Sequence, residues 1–236
     1  LLLLLALIQQ QTNLLFLGQV YHNMAIAQQI FMNLDNFVPT TGSHTNNASG
    51  TYNFTVPVYR YLTIQIWGGG GAGANNGSSG GTGGTSSFGS YISATGGAGG
   101  TPGTGGTGGA GGSGTNGTYN ETGENGKDGA KSTSSYGGAG ANTSNGGGAR
   151  RTTTYVSSNV AGQAGFTYAG GGSGPVAYSI AYGSMAGGGG GGYASKTFGR
   201  GELSTGTTVS ITLGAGGTAV GSSGAGANGA IKITWS

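Results

Sequence analysis

The sequence predicts a mainly β protein with a short N-terminal helical segment, in which a small β-sandwich-like base carries an inserted, glycine-rich lobe of polyglycine II helices. Three observations point there. Apolar residues alternate in short segments at 51–67 and 207–235, glycine recurs every third residue in the stretch between them, and an apolar seam of heptad spacing precedes both. The domain plan is therefore 1–36 as a helical attachment or oligomerisation segment, 37–50 as a connector, and 51–236 as a glycine-rich domain. Within that domain the β base takes 51–67 and 195–236, and the lobe with its loops takes 68–194.

The chain begins LLLLLALI, eight apolar residues followed by three glutamines, which is too short to span a bilayer. It has no initiator Met, basic flank or small-residue cleavage site, so it reads as part of a longer chain rather than as a signal peptide. From Leu17 the apolar positions Val20, Met24, Ala27, Phe31 and Leu34 step by three and four, the spacing of a coiled-coil seam, until Pro39 and Gly42 end the pattern. Two heptads are short for an independent coiled coil. These five residues are candidate oligomerisation positions against another subunit or a shaft; an amphipathic helix packed on its own domain is the alternative.

After a connector rich in Thr, Asn, Ser and Gly, TYNFTV puts Tyr52, Phe54 and Val56 on one strand face before Pro57 interrupts the ladder. YLTIQIW then puts Leu62, Ile64 and Ile66 inward and Tyr61, Thr63, Gln65 and Trp67 opposite. The C-terminal residues mirror this: TTVSITL alternates Val209, Ile211 and Leu213, and AIKITW alternates Ile231, Ile233 and Trp235, with a Gly/Ser turn region between. Two strand pairs are too few for a sandwich unless they meet and share one core, which makes everything between them an insertion.

Gly68 to Gly71 opens that insertion and Gly187 to Gly192 closes it. Glycine loses the most backbone entropy on ordering and has no side chain to bury, so composition alone points to disorder or a flexible linker. The spacing points elsewhere. In TPGTGGTGGAGGSGTNG, Gly103, Gly106, Gly109 and Gly112 form one three-residue row and Gly105, Gly108, Gly111, Gly114 and Gly117 a second. Three residues per turn is the polyproline II period, and a helix with two bare faces can approach its neighbours and bond to them through the backbone. Collagen shares the period, and GENGKDGAK continues it, but the chain has only four prolines. Aromatic interruptions such as SSFGSYISATGG are not needed by a linker.

With 59 glycines among 236 residues, 6% charged residues and no cysteine, the chain lacks both a disulfide framework and thiolate chemistry. A net charge of +3 spread thinly gives no nucleic-acid stripe. Five acids and two histidines offer little for catalysis, and adjacent Ser43 and His44 do not make a nucleophile and base. Glu121, Glu124 and Asp128, interleaved with Lys127 and Lys131, read as a solvated loop rather than a calcium site. No phosphate-loop motif occurs. No catalytic residue, cofactor or metal site is expected, nor insertion into a membrane.

FTVP at Phe54, a strand ending in WGGGGAG at Trp67, SFGSYISATGGAGG at Ser87, VSITLGAGG at Val209 and GAGANGAIKITW at Gly224 together resemble the glycine-rich domain of phage tail-fibre proteins. A similar general pattern occurs in the glycine-rich extracellular domain of some receptor tyrosine kinases. The resemblance covers roughly 51–236; 1–36 departs from it. It implies a β-rich base with a polyglycine II lattice on a virion tail, whose variable loops touch a host-surface protein or glycan, the N-terminal segment joining a fibre shaft or like subunits.

Recognition then falls to the interruptions of the glycine pattern at 115–136, 142–169 and 174–186. They carry Tyr119, Tyr136, Tyr155, Tyr168, Tyr178 and Tyr182 among Ser, Asn, Thr and Gly, the palette of antibody loops. Arg150 and Arg151 add a basic pair suited to phosphate or carboxylate groups. About half of the tyrosines are expected to fill gaps between glycine helices instead. The expectation is a non-enzymatic adhesin, with a self-assembling extracellular filament and a glycan-cleaving spike as its rivals.

Overall fold

A computed structural model of the chain describes residues 2–35, 37–103, 106–131, 135–144, 146–150, 159–176 and 184–236; at 2, 6, 25, 27–35, 131, 135, 136 and 184 the description extends to the backbone alone. The chain divides into two compact units, Leu1–Pro39 and Thr40–Ser236.

The first unit holds one helix, α1 (Leu2–Asp35). It starts well before the heptad seam because its Leu, Ala, Gln and Met residues are strong helix formers and no proline occurs before Pro39. Val20 and Met24 are exposed on it; the side chains of Ala27, Phe31 and Leu34 lie outside the described residues. Leu3, Leu15 and Phe16 are exposed as well, so apolar surface extends beyond the seam. No described helix is long and apolar enough to cross a membrane.

The second unit contains the strands β1 (Gly42–Asn46), β2 (Gly50–Thr55), β3 (Tyr61–Trp67), β4 (Ser86–Phe88), β5 (Ile92–Ala94), β6 (Pro102–Gly103) and β7 (Gly114–Thr115). They are followed by β8 (Tyr119–Glu121), β9 (Ala130–Lys131), β10 (Ser135–Tyr136), β11 (Ser184–Met185), β12 (Tyr193–Gly199), β13 (Thr208–Leu213) and β14 (Ala230–Trp235). Two five-stranded sheets form the base, in the orders β1-β14-β3-β12-β8 and β2-β13-β4-β5-β7. All their pairings are antiparallel.

The terminal strand pairs do meet, and each is split between the sheets. β2 pairs β13 in one, and β3 pairs β14 in the other with Ile66 opposite Ile231 and Ile64 opposite Ile233. The alternation read from sequence is the packing alternation: Leu62, Ile64, Ile66, Ile231 and Ile233 are fully buried against Phe88, Ile92, Ile211 and Leu213. Tyr59 closes one end of this core, its hydroxyl accepting from the Leu203 amide at 2.8 Å and donating to the Leu203 carbonyl at 3.1 Å.

The base is larger than 51–67 and 195–236. It recruits β1 from the stretch read as connector and β4, β5, β7, β8 and the start of β12 from the stretch read as lobe. β4 and β5 bury alternate residues, Ser86, Phe88, Ile92 and Ala94, whereas β1, β7 and β8 bury none and lie at the ends of the sheets.

The lobe is a lattice of extended glycine segments, and its hydrogen bonds repeat every third residue. From the segment after β3, Gly68, Gly71 and Ala74 donate to Gly192, Gly189 and Ala186, Gly69 and Ala72 donate to Gly84 and Gly81, and Gly70 and Gly73 donate to Ala227 and Gly224. Successive amides thus point to three different neighbours, the geometry of a three-residue turn. The 187–192 segment donates in the same way to 124–127, 169–172 and 95–98, and accepts from 68–71, 109–112 and 141. With neighbours on six sides, every one of its residues is glycine and buried. The glycine runs that open and close the insertion in sequence are therefore bonded to each other at the centre of the lobe.

The rows sort by depth from 106 to 114, whereas Gly103, in β6, is exposed and Gly105 lies outside the described residues. Gly106, Gly109 and Gly112 are buried, Gly108, Gly111 and Gly114 are half-buried, and the third row, Thr107, Ala110 and Ser113, is exposed. A Cβ at Gly109 would collide with the Ala98 carbonyl and one at Gly111 with the Gly123 carbonyl. Outward-facing amides at this edge are satisfied by side chains: Gly108 donates to Asp128 Oδ1 at 2.8 Å and Gly111 to Asn125 Oδ1 at 3.0 Å. The turn region between β13 and β14 also belongs to the lattice, since Gly217 donates to Gly70 and Gly226 to Gly217.

Candidate recognition site

The register of the glycine segments fixes two ends of the lobe. Gly68 and Gly192 pair next to β3 and β12, whereas Ala74 and Ala186 pair six residues further out, roughly 19 Å along a polyproline II rise. At that far end the chain reverses at Asn75–Ser78, where the two residues exchange backbone bonds at 3.0 Å, and at 220–223, where the Ser223 hydroxyl accepts from the Val220 amide at 2.9 Å. The Val160–Val176 bridge and the short ladders β6–β11 and β9–β10 lie there too.

Between these reversals is a cleft of about 300 Å³, lined by Asn75, Asn76, Asn159, Val176, Met185 and Ser222. Met185 and Val176 are buried and make an apolar floor; the asparagines and Ser222 bring amides and a hydroxyl to its rim. A floor of this kind suits the apolar face of a sugar or an aromatic side chain, and amides offer donors and acceptors together. Asn159, Val176 and Met185 fall within the interruptions expected to carry recognition, whereas Asn75, Asn76 and Ser222 lie outside them. The NNG run at 75–77 carried the signal of a turn.

The residues singled out from sequence divide between the two ends. Tyr119 sits on β8 in the base, exposed, with its hydroxyl 3.4 Å from Glu121 Oε2 and its ring 6.0 Å from that of Tyr193. Tyr168 is half-buried at the junction of lobe and base, its ring 4.9 Å from that of Trp67, whose other side meets Tyr193 at 5.0 Å. Trp67 Nε1 donates to the Ser144 carbonyl. Tyr168 and Ala169 both have positive φ, 63° and 68°, a conformation that costs about 1–2 kcal/mol per residue, and the tilted ring contact with Trp67 opposes that strain. Tyr168 thus packs against a small cluster that includes Trp67, Tyr193 and Ala230 at the ends of β3, β12 and β14.

Tyr136 has its backbone in β10 at the far end, paired with Ala130. Arg150 is exposed on the lobe flank. Arg151, Tyr155, Tyr178 and Tyr182 lie outside the described residues.

Nothing resembling a catalytic constellation forms among the described residues. His22 is exposed on α1, and His44 is exposed on β1 with its ring 6.2 Å from Phe54. Asp128 binds the Gly108 amide and Glu202 that of Gly199, so these carboxylates cap backbone. Among the described residues no group of three or more His, Cys, Asp or Glu is placed to hold a metal ion.

No family model matches the chain, and comparison with curated proteins and with solved structures found no match.

Proposed function

We propose that the protein is a non-enzymatic adhesin of a phage tail fibre, which recognises a host-surface protein or glycan through the far end of its glycine lobe. The observation that carries this reading is the convergence of the turns at 75–78 and 220–223, the Val160–Val176 bridge and the short ladders around one amide-rimmed cleft. A backbone lattice is rigid but has few side chains with which to select a ligand, so selectivity falls to the segments that leave it. In sequence, 151–158 leads into Asn159 and 177–183 follows Val176, both residues of the cleft lining, and these two segments carry Arg151, Tyr155, Tyr178 and Tyr182. In this reading α1 joins the chain to a fibre shaft or to like subunits, and the virion tail is its location.

The exposed rows Thr107, Ala110, Ser113 and Ser79, Thr82, Thr85 support an adhesin over a filament stacked through glycine faces. They place side chains on outer helices, where a further glycine helix would need bare backbone.

The test is adsorption of the fluorescently labelled chain to a panel of bacterial cells, comparing wild type with a variant whose 151–158 and 177–183 segments are replaced by Gly/Ser of equal length. Selective adsorption by the wild type and its loss in a variant of unchanged protease resistance is the expected result. Equal adsorption by both proteins, or release of sugars from the cell surface, overturns the assignment.

A further inference from the structure

A second cleft, also of about 300 Å³, lies on the lobe flank between the 124–127 segment and the walls formed by 139–142 and 148–150. It shares no lining residue with the cleft at the far end. Glu124, Lys127 and Arg150 line it together, three of the thirteen charged residues in a chain of 236. Such a concentration is not demanded by the lattice, whose segments pack through backbone.

Asn142 holds the two walls at a fixed separation. Its Oδ1 accepts from the Gly148 amide at 2.9 Å, and its Nδ2 donates to Glu124 Oε2 at 2.9 Å, with its backbone amide 3.4 Å from the same oxygen. One carboxylate oxygen is thereby occupied by amide donors. The Lys127 ammonium and the Arg150 guanidinium, by contrast, have no ion-pair or hydrogen-bond partner among the described residues. Two cations and one anion leave the cleft with a net charge of +1.

We infer that this cleft binds a saccharide unit bearing an anionic substituent, a carboxylate or a phosphate. The Arg150 guanidinium presents paired donors that match either group, and Lys127 supplies a second positive charge. Glu124 Oε1 accepts from a sugar hydroxyl, and the small walls, Ala139, Gly140 and Ala149, leave room for a ring. Selection runs against neutral sugars, which leave both cations without a counter-charge, and against bare anions, which leave the carboxylate facing them. The inference deepens the adhesin reading and rests on it for the source of the saccharide.

The test measures binding of the full chain to a galacturonate oligomer, a phosphorylated mannan oligosaccharide and neutral maltohexaose by calorimetry, with adsorption to cells recorded in parallel. Binding of one or both charged oligomers, no binding of maltohexaose, and a loss of about tenfold or more in Lys127→Gln/Arg150→Gln is the expected result. Which charged oligomer binds separates carboxylate from phosphate. A control pair, Lys196→Gln/Lys232→Gln, removes the same charge from the base and should leave binding unchanged. An equal loss in the control, equal binding of maltohexaose, or unchanged binding in the cleft variant overturns the inference. Thermal unfolding confirms that each variant is folded, and Arg150→Lys replaces the double variant if that one is not, with a smaller loss expected and no loss overturning the inference. Cell adsorption without oligomer binding defeats the cleft and leaves the adhesin standing; oligomer binding without cell adsorption does the reverse.

Discussion

Leu62, Ile64 and Ile66 in the base and Gly187 to Gly192 in the lobe are all buried, but different atoms bury them. In the base, two sheets interlock through branched and aromatic side chains, each worth about 1.5–3 kcal/mol when removed from water. In the lobe there are almost no side chains to remove. Close approach of bare backbone lets each amide reach a carbonyl on a neighbouring segment, at 2.8–3.0 Å along 68–74. A base of this kind tolerates a swap of one apolar residue for another of similar volume. The lattice has no comparable slack, because the atoms facing its bare positions belong to neighbouring backbone, at most of them a carbonyl oxygen.

The largest effect is therefore expected from a side chain placed in the middle of the lattice. A Cβ at Gly189 would run into the Ala110 carbonyl and approach that of Gly109. Gly189→Val should cost more than about 4 kcal/mol and expose the lobe to limited proteolysis, whereas unchanged protease resistance would mean the lattice is open there. A smaller but still large loss belongs to the base. Ile66→Ala leaves a cavity between the sheets and should cost about 2–5 kcal/mol in denaturant unfolding; a cost near zero would show that the two sheets do not share one core. The smallest effect sharpens the contrast within a single segment. Ala110 is exposed while its neighbour Gly109 is buried, so Ala110→Ser should stay within about 0.5 kcal/mol of wild type. A large loss at Ala110 would place that row inside a lattice or an interface.

The period of three was legible at 107–113 because each of its rows meets a single environment there: 109 and 112 bond the central segment, 108 and 111 face 123–128, and 107, 110 and 113 face solvent. The candidate site was far less legible. Tyr119 and Tyr168 have the composition of recognition residues, yet one lies on a sheet of the base and the other under Trp67. The far-end cleft is assembled from Asn75, Asn159 and Ser222, which are brought together only by the lengths of the glycine segments between them.

By itself the sequence determined the strand faces, the helix at the start and the existence of a glycine lattice, because each is a local periodicity of two, three and a half, or three residues; the strands and glycine rows are buried as their periods imply, whereas Val20 and Met24 of the heptad seam are exposed. Only the tertiary structure decided which segments are neighbours. Glycine has no side chain to encode a partner, so the antiparallel register of 68–74 on 186–192, the recruitment of 86–94 and 114–121 into the sheets, and the entry of 214–229 into the lattice are set by segment length and by where the chain can turn. For the same reason the two clefts could not be read in advance: the far-end cleft is lined by residues from 75 to 222, and the flank cleft by three separate pieces of 124–150 that share no local pattern.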